Sequence, residues 1–337
     1  MNSAKSRVIK LLKQTSAQLI AEHTQPVVFP IVVANYAARA IGEKLSRLLT
    51  DPEVLSYALY ELYQRFNYDL IMVFTDVLIE AEAMGSKIEI LADEPPLLIQ
   101  PAGENCRIAN PETDCRLPII LKATRNLQRM TQDQVFILVS IKGPFTLASL
   151  LCGPEMFLEQ LITGPATARH YLKLATENQL RYLRAIINAG GVPFIGDPMA
   201  SGSIISPEQF RFFALPFLQE LVNAIHQLGL FTGLHICGDT SLLLTLMKEA
   251  GAEILSIDDV KLSFVRKQLG PETVIMGNVP TALLAHGTPE QVKEAAQRCL
   301  QSAMPKLVLA SACDVPVSTP AENIQALLQA AREWRWS

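Results

Sequence analysis

Eight short apolar runs recur along the chain. Each is closed by a polar or turn residue and followed by a longer amphipathic stretch. The runs centre near residues 28, 71, 137, 194, 233, 254, 275 and 309. Examples are Asp69-Leu70-Ile71-Met72-Val73-Phe74-Thr75 and Lys306-Leu307-Val308-Leu309-Ala310-Ser311-Ala312. Runs of this length, rich in Val, Ile and Leu, predict buried strands. The stretches between them predict helices. Asp51-Pro52-Glu53 and Ser206-Pro207-Glu208 each supply a capping residue and then proline at the first helical position. Strands alternating with helices imply a parallel sheet. Eight such units predict an α/β fold, a (β/α)8 TIM barrel, in which catalysis sits at the C-terminal ends of the strands.

Two segments depart from the rhythm. Residues 3 to 23 carry Val8, Leu11, Leu12 and Leu19 at helical spacing, and Pro26 stops the pattern. They predict an N-terminal helical extension. Residues 84 to 118 hold Pro95, Pro96, Pro101, Pro111 and Pro118 around short apolar pieces, Ile88 to Leu91 and Leu97 to Ile99. They predict an excursion inserted after the second strand, a hairpin laid over the barrel end.

The chain has 337 residues, 49% of them hydrophobic and 18% charged. That is enough for one large core, and a single domain over 1–337 is expected. Net charge is −4 with no basic block, which argues against nucleic acid as a partner. No apolar stretch reaches the length of a membrane span. Met1 to Gln14 lacks the apolar core and cleavage site of a secretory signal. Six cysteines fall at 106, 115, 152, 237, 299 and 313 without framework spacing, which predicts a reducing cytoplasm and thiols that are buried or bind metal. No glycine-rich phosphate-binding fingerprint is present.

The chemistry concentrates in Leu234-His235-Ile236-Cys237-Gly238-Asp239. Side chains alternate across a strand, so His235 and Cys237 share a face. Imidazole nitrogen and thiolate sulfur are preferred zinc ligands. Gly238 ends the strand, and Asp239-Thr240-Ser241 is expected to cap the helix that follows. Cys313, at the end of the last apolar run, is the best third ligand. Three N/S ligands with an open fourth position match a catalytic zinc rather than a closed structural one. The other polar residues at strand ends are Asp76, Asp197, Asp258 and Asn278. Asp76 also reads as a helix cap, and Asp197 and Asn278 also read as turn residues. A barrel would bring all of them to one mouth.

With these residues in place, the chain resembles the uroporphyrinogen decarboxylase superfamily. The carrying segments are Phe74-Thr75-Asp76-Val77-Leu78 with Glu82-Ala83-Met84-Gly85, Gly196-Asp197-Pro198, Leu234 to Gly238, Gly277-Asn278-Val279, and Ser311 to Pro316 leading into Thr319 to Asn323. Within it, the chain is most similar to the methylcobamide:coenzyme M methyltransferase branch. That resemblance implies a zinc held by His235, Cys237 and Cys313, with Asp258 as an acidic residue able to reach the metal when no thiol is bound. It further implies a thiol activated on zinc and a methyl group carried by a corrinoid on a separate corrinoid protein. Asp76 and Asp197 are then candidates to orient substrate or accept the thiol proton, and Asn278 is a candidate for holding the corrinoid cofactor.

Two sequence differences refine the placement. Residues 31 to 39 lack the arginine-rich pattern with which the decarboxylases hold porphyrin carboxylates, and Cys313 stands where they carry histidine. Ala312 and Asp314 flank Cys313 where the methyltransferases usually have glycine, and Asp314 adds negative charge beside the proposed metal. The alternatives are a uroporphyrinogen-type decarboxylase and a non-catalytic metal- or corrinoid-binding accessory protein.

Overall fold

A computed structural model describes residues 3–335. Its strands are β1 (Val27–Phe29), β2 (Leu70–Val73), β3 (Lys87–Glu89), β4 (Leu97–Gln100), β5 (Phe136–Lys142), β6 (Val192–Gly196), β7 (Gly233–Ile236), β8 (Ile254–Ile257), β9 (Val274–Val279) and β10 (Leu307–Ser311). Eight of them form one sheet in the order β1-β10-β9-β8-β7-β6-β5-β2, and every neighbouring pair is parallel. The two ends of that ladder also meet. Asp69 N–H donates to the Val28 carbonyl at 2.9 Å, and Val28 N–H donates to the Asp69 carboxylate at 2.8 Å. The sheet is therefore a nearly closed (β/α)8 barrel, as the eight apolar runs predict.

Helices cover the outside and side chains fill the inside, so the strands are buried on both faces. Every residue of β2, β8 and β10 is buried. This is why the strands read as continuous apolar runs rather than as alternating patterns. The predicted excursion is a hairpin, with β3 antiparallel to β4. Pro95 and Pro96 in its turn reach over the barrel mouth and line a cavity there. Among the described residues no helix is long and apolar enough to cross a membrane.

Three local expectations need correction. The single helix expected over residues 3–23 is two, Ala4–Lys13 and Ser16–Ala21. Thr15 Oγ1 accepts from Gln18 N–H while the Gln18 side chain accepts from Thr15 N–H, a capping box that starts a second helix. The helix after β7 begins at Leu244, not at Ser241. Asp239 instead closes a turn by accepting from Ser241 N–H at 2.8 Å. Asn278, expected to follow its strand, lies within β9, where it pairs in register with Ala310.

Strand register places the key side chains. Lys142, Gly196, His235, Ser256 and Met276 are register partners across five adjacent strands, β5 to β9. Period-two alternation sends Ser140 with Lys142, Phe194 with Gly196, and His235 with Cys237 toward the barrel interior, where all six line the cavity.

Candidate metal centre at the barrel mouth

His235 Nε2 lies 3.1 Å from Cys237 Sγ and 3.7 Å from Cys313 Sγ, and the two sulfurs are 3.9 Å apart. These atoms form a compact triangle on the cavity wall. A tetrahedral zinc with ordinary bond lengths sets its sulfurs about 3.8 Å apart and its nitrogen about 3.6 Å from each sulfur. The triangle matches that spacing closely on two edges and is tighter on the third. The residues present therefore fit a zinc-sized ion. All three residues line the cavity, which leaves room beside them for a further ligand.

The ligands are held from behind. His235 Nδ1 is 2.9 Å from Ser256 Oγ, its register partner on β8. An Nδ1–H donated there leaves the Nε2 lone pair free for a metal. The Cys237 carbonyl accepts from Ser201 Oγ at 2.7 Å. Gly238, at φ +75°, turns the chain away from the strand in a conformation open to glycine. Its N–H donates to Asp258 Oδ2 at 2.8 Å.

Proximity couples the protonation of the three ligands. The hydrogen bond from Cys313 lowers the Cys237 thiol, overcoming burial. The same contact and burial push Cys313 well up. Burial pulls His235 down, but the Cys313 hydrogen bond and the negative charge of Cys313, Asp314 and Asp258 hold it above its ordinary value.

The other predicted site residues divide differently. Asp76 lines the cavity, but its carboxylate is engaged in a buried ion pair with Arg116, at 2.5 Å and 3.2 Å, and accepts from Leu78 N–H at 2.9 Å. Arg116 also holds Glu82 at 2.7 Å. Asp197 is fully buried and does not line the cavity. It accepts from Thr146 N–H at 2.7 Å, Thr146 Oγ1 at 2.6 Å and Phe145 N–H at 3.4 Å, so it caps the helix Pro144–Cys152 from outside. Gly143 makes room for it, since a Cβ there would sit 2.2 Å from Asp197 Cγ. Burial raises the Asp197 carboxyl to about 6 against those hydrogen bonds.

Asp258 is not one of the clustered ligand atoms; it meets the site through Gly238. Asn278 does not line the cavity either. Its Nδ2 donates to the carbonyls of Asp258 at 2.8 Å and Val260 at 2.7 Å, clamping the loop that presents Asp258.

Sequence reading passed over Ser256, Arg116 and Lys142. Ser256 sits mid-strand in an apolar run and carries no motif. Arg116 lies inside the excursion, 40 residues from Asp76. Lys142 was visible only as a charge ending an apolar strand, just before Gly143-Pro144. It stands in the cavity beneath Phe74, with Nζ 4.4 Å from the ring centroid.

An eight-stranded parallel barrel with a His235–Cys237–Cys313 cluster able to hold a metal ion at its C-terminal mouth places the protein in the class of α/β barrels whose chemistry sits at the strand ends. The uroporphyrinogen decarboxylase (URO-D) family model matches residues 7–334, and the chain belongs to that family. A methylated-thiol–coenzyme M methyltransferase of Methanosarcina mazei is 32% identical over 77% of this chain and 71% of its own length. The methylcobamide:CoM methyltransferase MtaA of Methanosarcina barkeri is 28% identical over 87% of this chain and 88% of its own. A solved methyltransferase from Methanosarcina mazei superimposes with a TM-score of 0.89 over 99% of both chains at 24% identity, which establishes the shared fold. By these relatives the chain is an enzyme of the methyltransferase kind, and it is also similar to a uroporphyrinogen decarboxylase of Pelobacter propionicus, 27% identical over 89% of this chain and 93% of its own length.

Proposed function

We propose that this protein moves a methyl group between a methylcobamide, carried on a separate corrinoid protein, and a thiol held at a zinc ion. The observation that carries this reading is the His235–Cys237–Cys313 triangle facing a cavity of about 270 Å³. The names of the similar methyltransferases support it.

His235, Cys237 and Cys313 would hold the metal, with Ser256 orienting the imidazole. When bound, zinc would let a thiol give up its proton to solvent at neutral pH, where a free thiol with a pKa of about 8.5 stays largely protonated. The sulfur attacks the methyl carbon of the methylcobamide. The S–C bond forms as the Co–C bond breaks, and both bonding electrons stay on cobalt. The cavity wall is largely apolar around the ligands, with Met72, Phe74, Phe194 and Met276, and it keeps water from the reacting sulfur. Asp76 is fixed by Arg116 and shapes the opposite wall. Asp258 is a positioning residue, holding Gly238 and through it Cys237. Asn278 positions Asp258 in turn.

A tetrapyrrole decarboxylase reading predicts several cations facing the substrate carboxylates. Among the described residues lining the cavity, Lys142 is the one cationic side chain apart from His235.

The test is metal content of purified protein, wild type beside Cys313→Ala and His235→Ala, followed by thiol-dependent demethylation of methylcobalamin. One zinc per wild-type chain, lost in both variants together with demethylation, is expected. A wild type that takes up no zinc overturns the reading.

A further inference from the structure

The cavity in front of the triangle is lined by two charged side chains, Lys142 and Asp314, that form no ion pair with any described residue. Lys142 is 3% exposed, and its Nζ meets one hydroxyl, Ser140 Oγ, at a long 3.4 Å, and the Phe74 ring. An ammonium has three donors, and burying it so poorly matched is costly. Two buried carboxylates, Glu80 and Asp197, feel the charge of Lys142 without pairing with its ammonium: Glu80 Oε1 accepts from Lys142 backbone N–H at 2.8 Å and from Gln179, and Asp197 caps its helix. Asp314, across the cavity beside Cys313, makes no hydrogen bond or ion pair with any described residue although it lines the same space. Lys142 and Asp314 feel one another's charge but form no ion pair.

Register explains the gap between Lys142 and the triangle. Lys142 and His235 lie in one row with Gly196 between them, and with no side chain at Gly196 the Lys142 ammonium leans over the middle strand, 3.7 Å from where a Cβ would stand. Two strand spacings separate their backbones by about 10 Å. That opening is the space in which a short thiol, its sulfur at the triangle, would extend.

We propose that Lys142 and Asp314 select a zwitterionic thiol, a short α-amino-acid thiol whose carboxylate meets Lys142 and whose ammonium meets Asp314. This rests on the thiol-activation reading above and names its substrate class. Charge balance favours the zwitterion. Two cysteinates neutralise a divalent ion, a substrate thiolate then adds one negative charge, and Asp314 adds another against the single positive charge of Lys142. A thiol whose remote end is only anionic deepens that excess in a water-poor cavity and leaves Asp314 unpaired. A thiol with both charges adds none and gives each protein group its partner.

The test is thiol binding to the full-length protein loaded with cobalt(II), read from the sulfur-to-cobalt charge-transfer absorption, which needs no turnover. The probes are L-homocysteine, its desamino and decarboxy analogues, and propanethiol. Wild type is expected to bind L-homocysteine at least about tenfold more tightly than any of the other three. Lys142→Met is expected to raise the Kd for L-homocysteine and the desamino thiol about tenfold and leave the decarboxy thiol unchanged. Asp314→Asn is expected to weaken L-homocysteine and the decarboxy thiol while tightening the desamino thiol. The wild-type ranking stands without either variant. Desamino thiol binding as tightly as L-homocysteine, or a flat ranking, overturns the zwitterion proposal alone. A loaded protein whose band responds to none of the four thiols overturns the thiol-activation reading and this proposal with it.

Discussion

The two sides of the barrel mouth carry similar residues and use them differently. At β7 and β10, His235, Cys237 and Cys313 turn toward one another, and Asp258 braces the loop behind Cys237. At β2 and β6, Asp76 and Asp197 also follow strand ends, yet each is committed to structure, one to Arg116 and one to the start of a helix. In the chain all six look alike: a polar residue at or near the end of an apolar run, before a turn. The separation comes from what stands opposite. A carboxylate facing a guanidinium or a row of helix N–H groups is a fastener. Soft ligands facing each other across a few ångströms, with no other strong partner, form a binding site.

The largest test of that contrast removes a ligand from one side. Cys313→Ala should lower methyl transfer by about three orders of magnitude or more, since the remaining pair no longer encloses the metal. The protein should stay folded because the barrel does not depend on the metal. A variant with near wild-type turnover in a demethylation assay would place the chemistry elsewhere.

Next is the fastener on the opposite side. Arg116→Met strands the Asp76 carboxylate in a buried setting, and breaking such a pair typically costs about 3–5 kcal/mol. Urea unfolding should show that loss while zinc content remains one per chain. Loss of zinc in this variant at unchanged stability would reverse the assignment of the two sides.

Asp197 sharpens the comparison through pH. Its folded carboxyl is raised by burial to about 6 from 3.8. A raised carboxyl contributes stability that is complete below its unfolded value and is lost as pH rises through the folded value. The gap is roughly two units, worth roughly 3 kcal/mol. The stability of wild type relative to Asp197→Asn should therefore fall by about that amount between about pH 4 and pH 7. A constant difference in urea titrations across that range would remove burial as the dominant influence on Asp197.

The smallest expected effect lies behind the triangle. Ser256→Ala deletes the partner of His235 Nδ1 and should weaken zinc by about 10–100-fold in a chelator competition, with stoichiometry kept under saturating metal. An unchanged affinity would mean that the strand alone orients the imidazole.

Much of this protein was determined locally, and so was readable along the chain. The eight strands follow from apolar runs that must be buried on both faces, and their alternation with capped helices follows from the same demand for burial. His235 and Cys237 share a face because strands have a period of two, and their chemistry makes them candidate metal ligands. Other features depend on partners far away in sequence. Cys313 meets Cys237 across 76 residues, and Arg116 meets Asp76 across 40. Lys142, Gly196, His235 and Ser256 become one row only when four strands adopt a common register. Whether a carboxylate serves as ligand, cap or ion-pair partner is decided by the group opposite it, at distances of a few ångströms that only the closed barrel sets. The sequence by itself therefore determined the architecture and the candidate metal-ligating residue types. The tertiary structure decided which polar residues remain free to act, because burial, pairing and orientation are properties of neighbours rather than of residues.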